Sequence, residues 1–177
     1  GGGAGLVIFC QPIIDALKSI TNKGRVIFTS PIGKQLDHNL AVEFSKEEHL
    51  IIVAGRYEGY DNRIFDIIDH DKVSVGDYVI TGGELAGLII IDSAIRHVKG
   101  VLENPDSLVD ESFNEGLLEY DHYTKPREFM GKVVPEVLLS GHHKMIAEER
   151  HRWSLINTYD YRPDLLKNRR LKPKELD

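Results

Sequence analysis

The sequence predicts an α/β fold built on a parallel sheet and followed by a small helical unit. Three observations carry that reading. Short β-branched and aromatic runs alternate with segments of helical period up to about residue 100, the pattern of a parallel sheet covered by helices. A glycine-containing loop follows each such run, at 29–33, 55–59 and 75–83. Parallel sheets bind ligands beyond the carboxyl ends of their strands, so these loops should lie near one another. After about residue 102 the pattern changes to an acidic stretch and then a basic, helix-forming one.

Taken in order, Ile13, Ile14, Leu17 and Ile20 fall at helical spacing, with Pro12 suited to a first turn and Asn22-Lys23-Gly24 ending the helix. Val26-Ile27-Phe28 reads as a buried strand, broken by Thr29-Ser30-Pro31-Ile32-Gly33. Leu36, Leu40 and Phe44 predict a second helix, and residues 50–54 form the clearest strand, closed by Gly55. Ile64, Ile67 and Ile68 predict a short helix. A further strand is expected around Val73 or Tyr78-Val79-Ile80, then a helix over 84–98 ending at Gly100. The stretch 103–117 reads as an interdomain linker. Residues 118–177 read as a helical domain, with Ser140 capping a helix over 142–159 and a short turn starting at Pro163.

Composition narrows the classes. Apolar residues make up 41% of the 177, enough for an ordinary core. The longest apolar stretch, from Leu85 to Ile91, is far short of the roughly 20 residues of a membrane span. No signal peptide is visible, and the single cysteine, Cys10, excludes an internal disulfide and suits a reducing cytoplasm. The first residue is Gly rather than Met, and the chain reads as a fragment whose beginning lies upstream. The net charge of -6 argues against nucleic acid at first sight, but its distribution is uneven. Residues 101–122 hold seven carboxylates and no Lys or Arg, whereas 141–177 hold nine Lys/Arg against six Asp/Glu. Two differently charged solvated faces account for this as well as a polyanionic partner does.

The informative segments are Gly55-Arg56-Tyr57-Glu58-Gly59 and Ser74-Val75-Gly76-Asp77-Tyr78-Val79-Ile80-Thr81-Gly82-Gly83-Glu84. Each is open to two readings. Glycines at positive φ make tight turns. Bare backbone also wraps a flat adenine, with Glu58 and Asp77 facing a sulfonium cation. His142, His143 and His151 are poorly spaced for three metal ligands and read as surface or packing residues. No metal site is expected, and a Mg2+ requirement has no signature in the sequence.

Together with Glu-Ser-Phe and Gly-Leu-Leu-Glu-Tyr between Glu111 and Tyr120, His122-Tyr123-Thr124 before Pro126, and Ser140-Gly141-His142-His143, these segments resemble the bacterial tRNA (guanine-N1)-methyltransferase family over nearly the whole chain. The resemblance implies a SPOUT-class fold with a C-terminal trefoil knot over residues 1–102, a homodimer with shared active sites, and transfer of methyl from S-adenosylmethionine to the guanine at tRNA position 37. Donor contacts carry over to Thr29, Ser30 and Pro31, to Gly55 and Glu58, and to Val75, Gly76, Asp77, Tyr78, Val79 and Ile80, with Gly82 and Gly83 nearby. The family base is often Asp before Ser-Phe; here Glu111 stands there, with Asp110 as its rival, and Arg96 aligns with the residue that stabilises the guanine oxygen. The family also begins upstream of Gly1. Arg150, Arg152, Lys167, Arg169 and Arg170 are expected to meet the tRNA, with His122 and Tyr123 near the target nucleotide. A non-catalytic RNA-binding SPOUT protein and a ribose 2'-O-methyltransferase are the competing readings.

Overall fold

The computed structural model describes residues 3, 5–102, 111–167 and 169, and the chain divides into two compact units, Gly1–Glu103 and Asn104–Asp177. The first unit is built on three parallel strands: β1 (Arg25–Gln35), β2 (Leu50–Val53) and β3 (Asp71–Ser74), in the order β2-β1-β3. Helix α1 (Cys10–Ser19) precedes them, α2 (His38–Phe44) joins β1 to β2, α3 (Ile64–Ile67) joins β2 to β3, and α4 (Gly83–Ile95) follows.

Successive side chains of a strand point to opposite faces, and β1 uses both. Ile27 packs with Leu40 and Phe44 of α2 and with Ile90 and Ala94 of α4. Phe28 packs on the other face with Ile13 of α1 and Ile64 of α3. Ile27, Phe28, Ile64 and Ile90 are fully buried, and each contributes about 1.5–3 kcal/mol of transfer free energy. The central strand is therefore apolar on both sides, as a parallel sheet between helical layers requires. Asp37 starts α2 by accepting from the Leu40 amide at 2.8 Å.

Three expectations need correction here. Residues 29–33 do not end β1, which runs on to Gln35. Thr29 and Lys34 both pair with Val73, so the intervening residues bulge out without detaching the strand. Tyr78-Val79-Ile80 is not a strand either; the third strand is the one around Val73. Gly76 at φ +155 turns the chain away, and the Tyr78 hydroxyl bonds back to the Val75 carbonyl at 3.2 Å. Helix α4 also stops at Ile95, with residues 96–100 continuing as turns.

In the second unit, residues 111–117 form a turn closed by the Phe113 amide on the Leu117 carbonyl at 2.7 Å. The expected linker positions 103–110 lie outside the described residues. Strands β4 (Glu128–Phe129) and β5 (Lys132–Val133) make an antiparallel hairpin over Met130-Gly131, both at positive φ, as a two-residue hairpin turn demands. Helix α5 (Glu136–Leu139) leads to α6 (His143–Tyr161) and a 3-10 turn at Pro163–Leu166. Ser140 closes α5 and its hydroxyl accepts from the His142 amide. What anchors α6 is polar. Buried Thr158 accepts from the Leu118 amide at 2.9 Å, Ser154 donates to the Leu118 carbonyl, and Asn157 donates to the Glu119 carbonyl.

Candidate functional site

The three glycine loops of the first unit converge on one cleft of about 290 Å3 at the carboxyl ends of the strands. Thr29, Ser30 and Pro31 come from the bulge of β1, Gly55 and Glu58 from the loop after β2, and Val75 through Gly83 from the segment after β3. Of the positions carried over for the donor, Asp77 alone does not line the cleft; it is exposed.

Glycine is needed where these loops touch. The Gly83 amide donates to the Gly55 carbonyl at 2.6 Å. A Cβ on Gly83 would stand 2.1 Å from Thr29 Oγ1 and 2.6 Å from the Gly55 nitrogen. The Thr29 hydroxyl, buried in the sheet, accepts from the Gly55 amide and reaches the Val53 carbonyl, both at 3.4 Å. At Gly76, a Cβ would lie 2.4 Å from the Tyr78 ring, while the Gly76 amide bonds to Ser74 Oγ. The walls are therefore in large part main chain held at close range, tied together by its own hydrogen bonds and without room for side chains where the loops touch.

Side chains complete the cleft. Tyr60 donates to the Val53 carbonyl at 2.8 Å, and burial first of all pushes its phenol up to about 12. Arg56, which lines the cleft, forms an exposed ion pair with Glu84 at 2.6 Å. Glu84 is held below its ordinary range by backbone hydrogen bonding and by that arginine. Glu58 lines the cleft with its carboxylate beside Gly5, where a Cβ would come within 2.7 Å of Oε1. Tyr60, Ser74 and Arg56 are absent from the sequence-derived site, although Arg56 and Ser74 stand inside the quoted motifs. The available signal for Tyr60 was its position directly after Gly59.

The candidates for chemistry lie in different units. Arg96 caps the C-terminus of α4 on the exposed surface of the first unit. Glu111 is half-buried in the second, where it lines a cavity of about 310 Å3 with Arg150, His143 and His151. Asp110 and Arg170 lie outside the described residues.

Residues 1–168 match a family model described as tRNA (Guanine-1)-methyltransferase TrmD. A protein of Lactobacillus johnsonii named tRNA (guanine-N(1)-)-methyltransferase is 53% identical over 175 residues, covering 99% of this chain and 72% of that protein. Proteins of the same name from Listeria innocua and Lactobacillus delbrueckii are 50% and 52% identical, over 99% of this chain and 74% and 71% of theirs.

Proposed function

The chain belongs to the tRNA (guanine-N1)-methyltransferase family, and from that premise we propose how its residues divide the work. It is an enzyme that transfers a methyl group from S-adenosylmethionine to N1 of a tRNA guanine near the anticodon; we assign the target to position 37. The cleft of the three loops is the donor site. The observation that carries this is the convergence of the three loops on one cleft, with Gly83 pressed on Gly55 so closely that main chain rather than side chain forms the wall between them. A wall of this kind suits a flat adenine, and Glu58 suits a neighbouring cation.

S-adenosylmethionine supplies an electrophilic methyl on a sulfonium. Guanine N1 carries a proton and is a poor nucleophile until it is lost. Glu111 accepts that proton, a role that contributes on the order of 10²–10⁴-fold. Arg96 faces the negative charge that develops toward the guanine oxygen.

The finer features of the fold belong to the same reading. We carry the C-terminal trefoil knot, within residues 1–102, over from the family whose model the chain matches. A homodimer is supported by α4, whose exposed surface is largely apolar: Leu85, Leu88, Ile89, Ile91 and Ile95 are 44–62% exposed within one chain. No helix among the described residues is long and apolar enough to cross a membrane, and we assign the enzyme to the cytoplasm, where its tRNA is. No divalent metal is assigned a step.

The test is incubation with labelled donor and tRNA bearing guanine at position 37, followed by identification of the product nucleoside. 1-Methylguanosine is expected. A ribose-methylated product, or donor binding without methyl incorporation, would replace this reading with one of its competitors.

A further inference from the structure

The second unit holds a further cleft, of about 500 Å3, which shares Tyr120, Ile146 and Arg150 with the cavity of Glu111. Val134, Leu138 and Ile146 give it an apolar floor, while Lys125, Arg127 and Arg150 give it positive charge. Tyr120 and Tyr123 line it too, the latter against Trp153 with ring centroids 5.9 Å apart.

Arg150 differs from most of the other described arginines. Arg25, Arg56, Arg63, Arg152 and Arg162 each hold a carboxylate at 2.5–2.8 Å. Arg150 holds none among the described residues. Its guanidinium instead lies over Tyr120, 4.6 Å from the ring centroid, and its Nε is buried with no acceptor. A guanidinium stacked by its face keeps its in-plane N–H fork for a planar or phosphate acceptor. The nearby charges leave room for one. Asp121 is engaged by Asn157 at 3.0 Å, and the pair between Arg127 and Glu136, at 3.5 Å and exposed on both sides, is too weak to hold Arg127 away from a phosphate. Cations interleaved with aromatic rings over an apolar floor are the composition that takes up unpaired nucleotides.

We propose that this cleft seats one unpaired nucleotide of the tRNA, with its phosphate on the Arg150 fork, Lys125 and Arg127 adding charge, and its base against Tyr123 and the apolar floor. The inference rests on the tRNA reading above and specifies where that substrate is gripped. It also separates Arg150 from Arg152, whose guanidinium is already taken by Glu149.

The experiment measures tRNA affinity of the full chain across a salt series, with donor affinity by calorimetry alongside. Arg150→Gln should weaken tRNA binding about tenfold and flatten the dependence of log affinity on log salt by roughly 0.7, the share of one charge on a single strand. Donor affinity should stay as in the wild type. Arg150→Lys should restore the slope but not the affinity, because it keeps the charge and loses the fork. Lys125→Gln with Arg127→Gln, both on the surface and free of folding cost, should flatten the slope by roughly 1.4. Wild-type slopes in Arg150→Gln and in the double variant would overturn the cleft while leaving the tRNA reading intact. So would a loss of donor binding in Arg150→Gln matched to its loss of tRNA binding, which would make Arg150 a packing residue. Failure of the wild-type chain to methylate any tRNA would instead overturn the reading on which the cleft rests.

Discussion

The two units are held together in different ways. The first is organised by a sheet with apolar contacts on both faces, and its fully buried side chains include Ile27, Phe28, Ile64 and Ile90. The second has few buried side chains among its described residues; Ser154 and Thr158 are polar, and they tie α6 to the 117–119 backbone through hydrogen bonds. A sheet packed on both faces keeps its three loops in hydrogen-bond contact, with the Gly83 amide on the Gly55 carbonyl at 2.6 Å, as a site made of main chain requires. A polar, lightly packed unit opens more easily, and moving elements of enzymes are drawn from such regions. In the function proposed above, the first unit holds the donor and the second supplies the base and the RNA-binding groups.

The largest expected effect lies in the second unit. Glu111→Gln should slow single-turnover methyl transfer by roughly 10²-fold or more with donor affinity near normal, while Asp110→Asn should be mild. The reverse pattern would move the role to Asp110, and normal rates in both variants and in the double variant would remove this segment from proton transfer.

Next comes the first unit's main-chain contact. Gly83→Ala places a Cβ against Thr29 Oγ1 and the Gly55 nitrogen, and backbone cannot swing aside. Donor affinity measured by calorimetry should fall at least about tenfold, with tRNA affinity little changed. Equal losses of both ligands would erase the division between the units.

Thr158→Val probes the polar anchor of α6. It leaves the Leu118 amide without its acceptor, which costs about 1–3 kcal/mol. Hydrogen exchange should rise across residues 117–119 and α6, while the first unit keeps its protection. Uniform loss of protection in both units would contradict the comparison.

The smallest effect is that of Tyr60. Its phenol is raised from 10.0 to about 12, chiefly by burial, so the folded chain keeps the proton more tightly than the unfolded one. That stability is fully present below pH 10 and is lost as pH rises toward 12. In Tyr60→Phe this part of the alkaline decline should vanish, and donor affinity should weaken a few-fold through loss of the bond to Val53. An unchanged alkaline melting profile would show that Tyr60 is not the group responsible.

The sequence was most readable where a residue's chemistry and its burial agree. Ile27, Phe28 and the strand at 50–53 announced themselves as apolar runs, and the convergence of three loops followed from parallel strands. The bulge of β1 was hidden because Pro31 and Gly33 look like a break; only the doubled pairing of Val73 shows that the strand resumes. Tyr78-Val79-Ile80 has strand composition, yet Gly76 and the turn around it decide the backbone. The anchor of α6 escaped notice because Ser154 and Thr158 are polar, so hydrophobic periodicity points away from the face they bury. The hairpin over Met130-Gly131 has only two residues per strand, too short for any alternation to register.

The division of labour is tested most directly by titrating S-adenosylmethionine calorimetrically into a chain ending at Gly116, which lacks the basic helical region. The account predicts saturable binding within a few-fold of the full chain's affinity. Absence of saturable heat from a truncated chain that still melts cooperatively would contradict it, because the donor site would then need residues of the second unit.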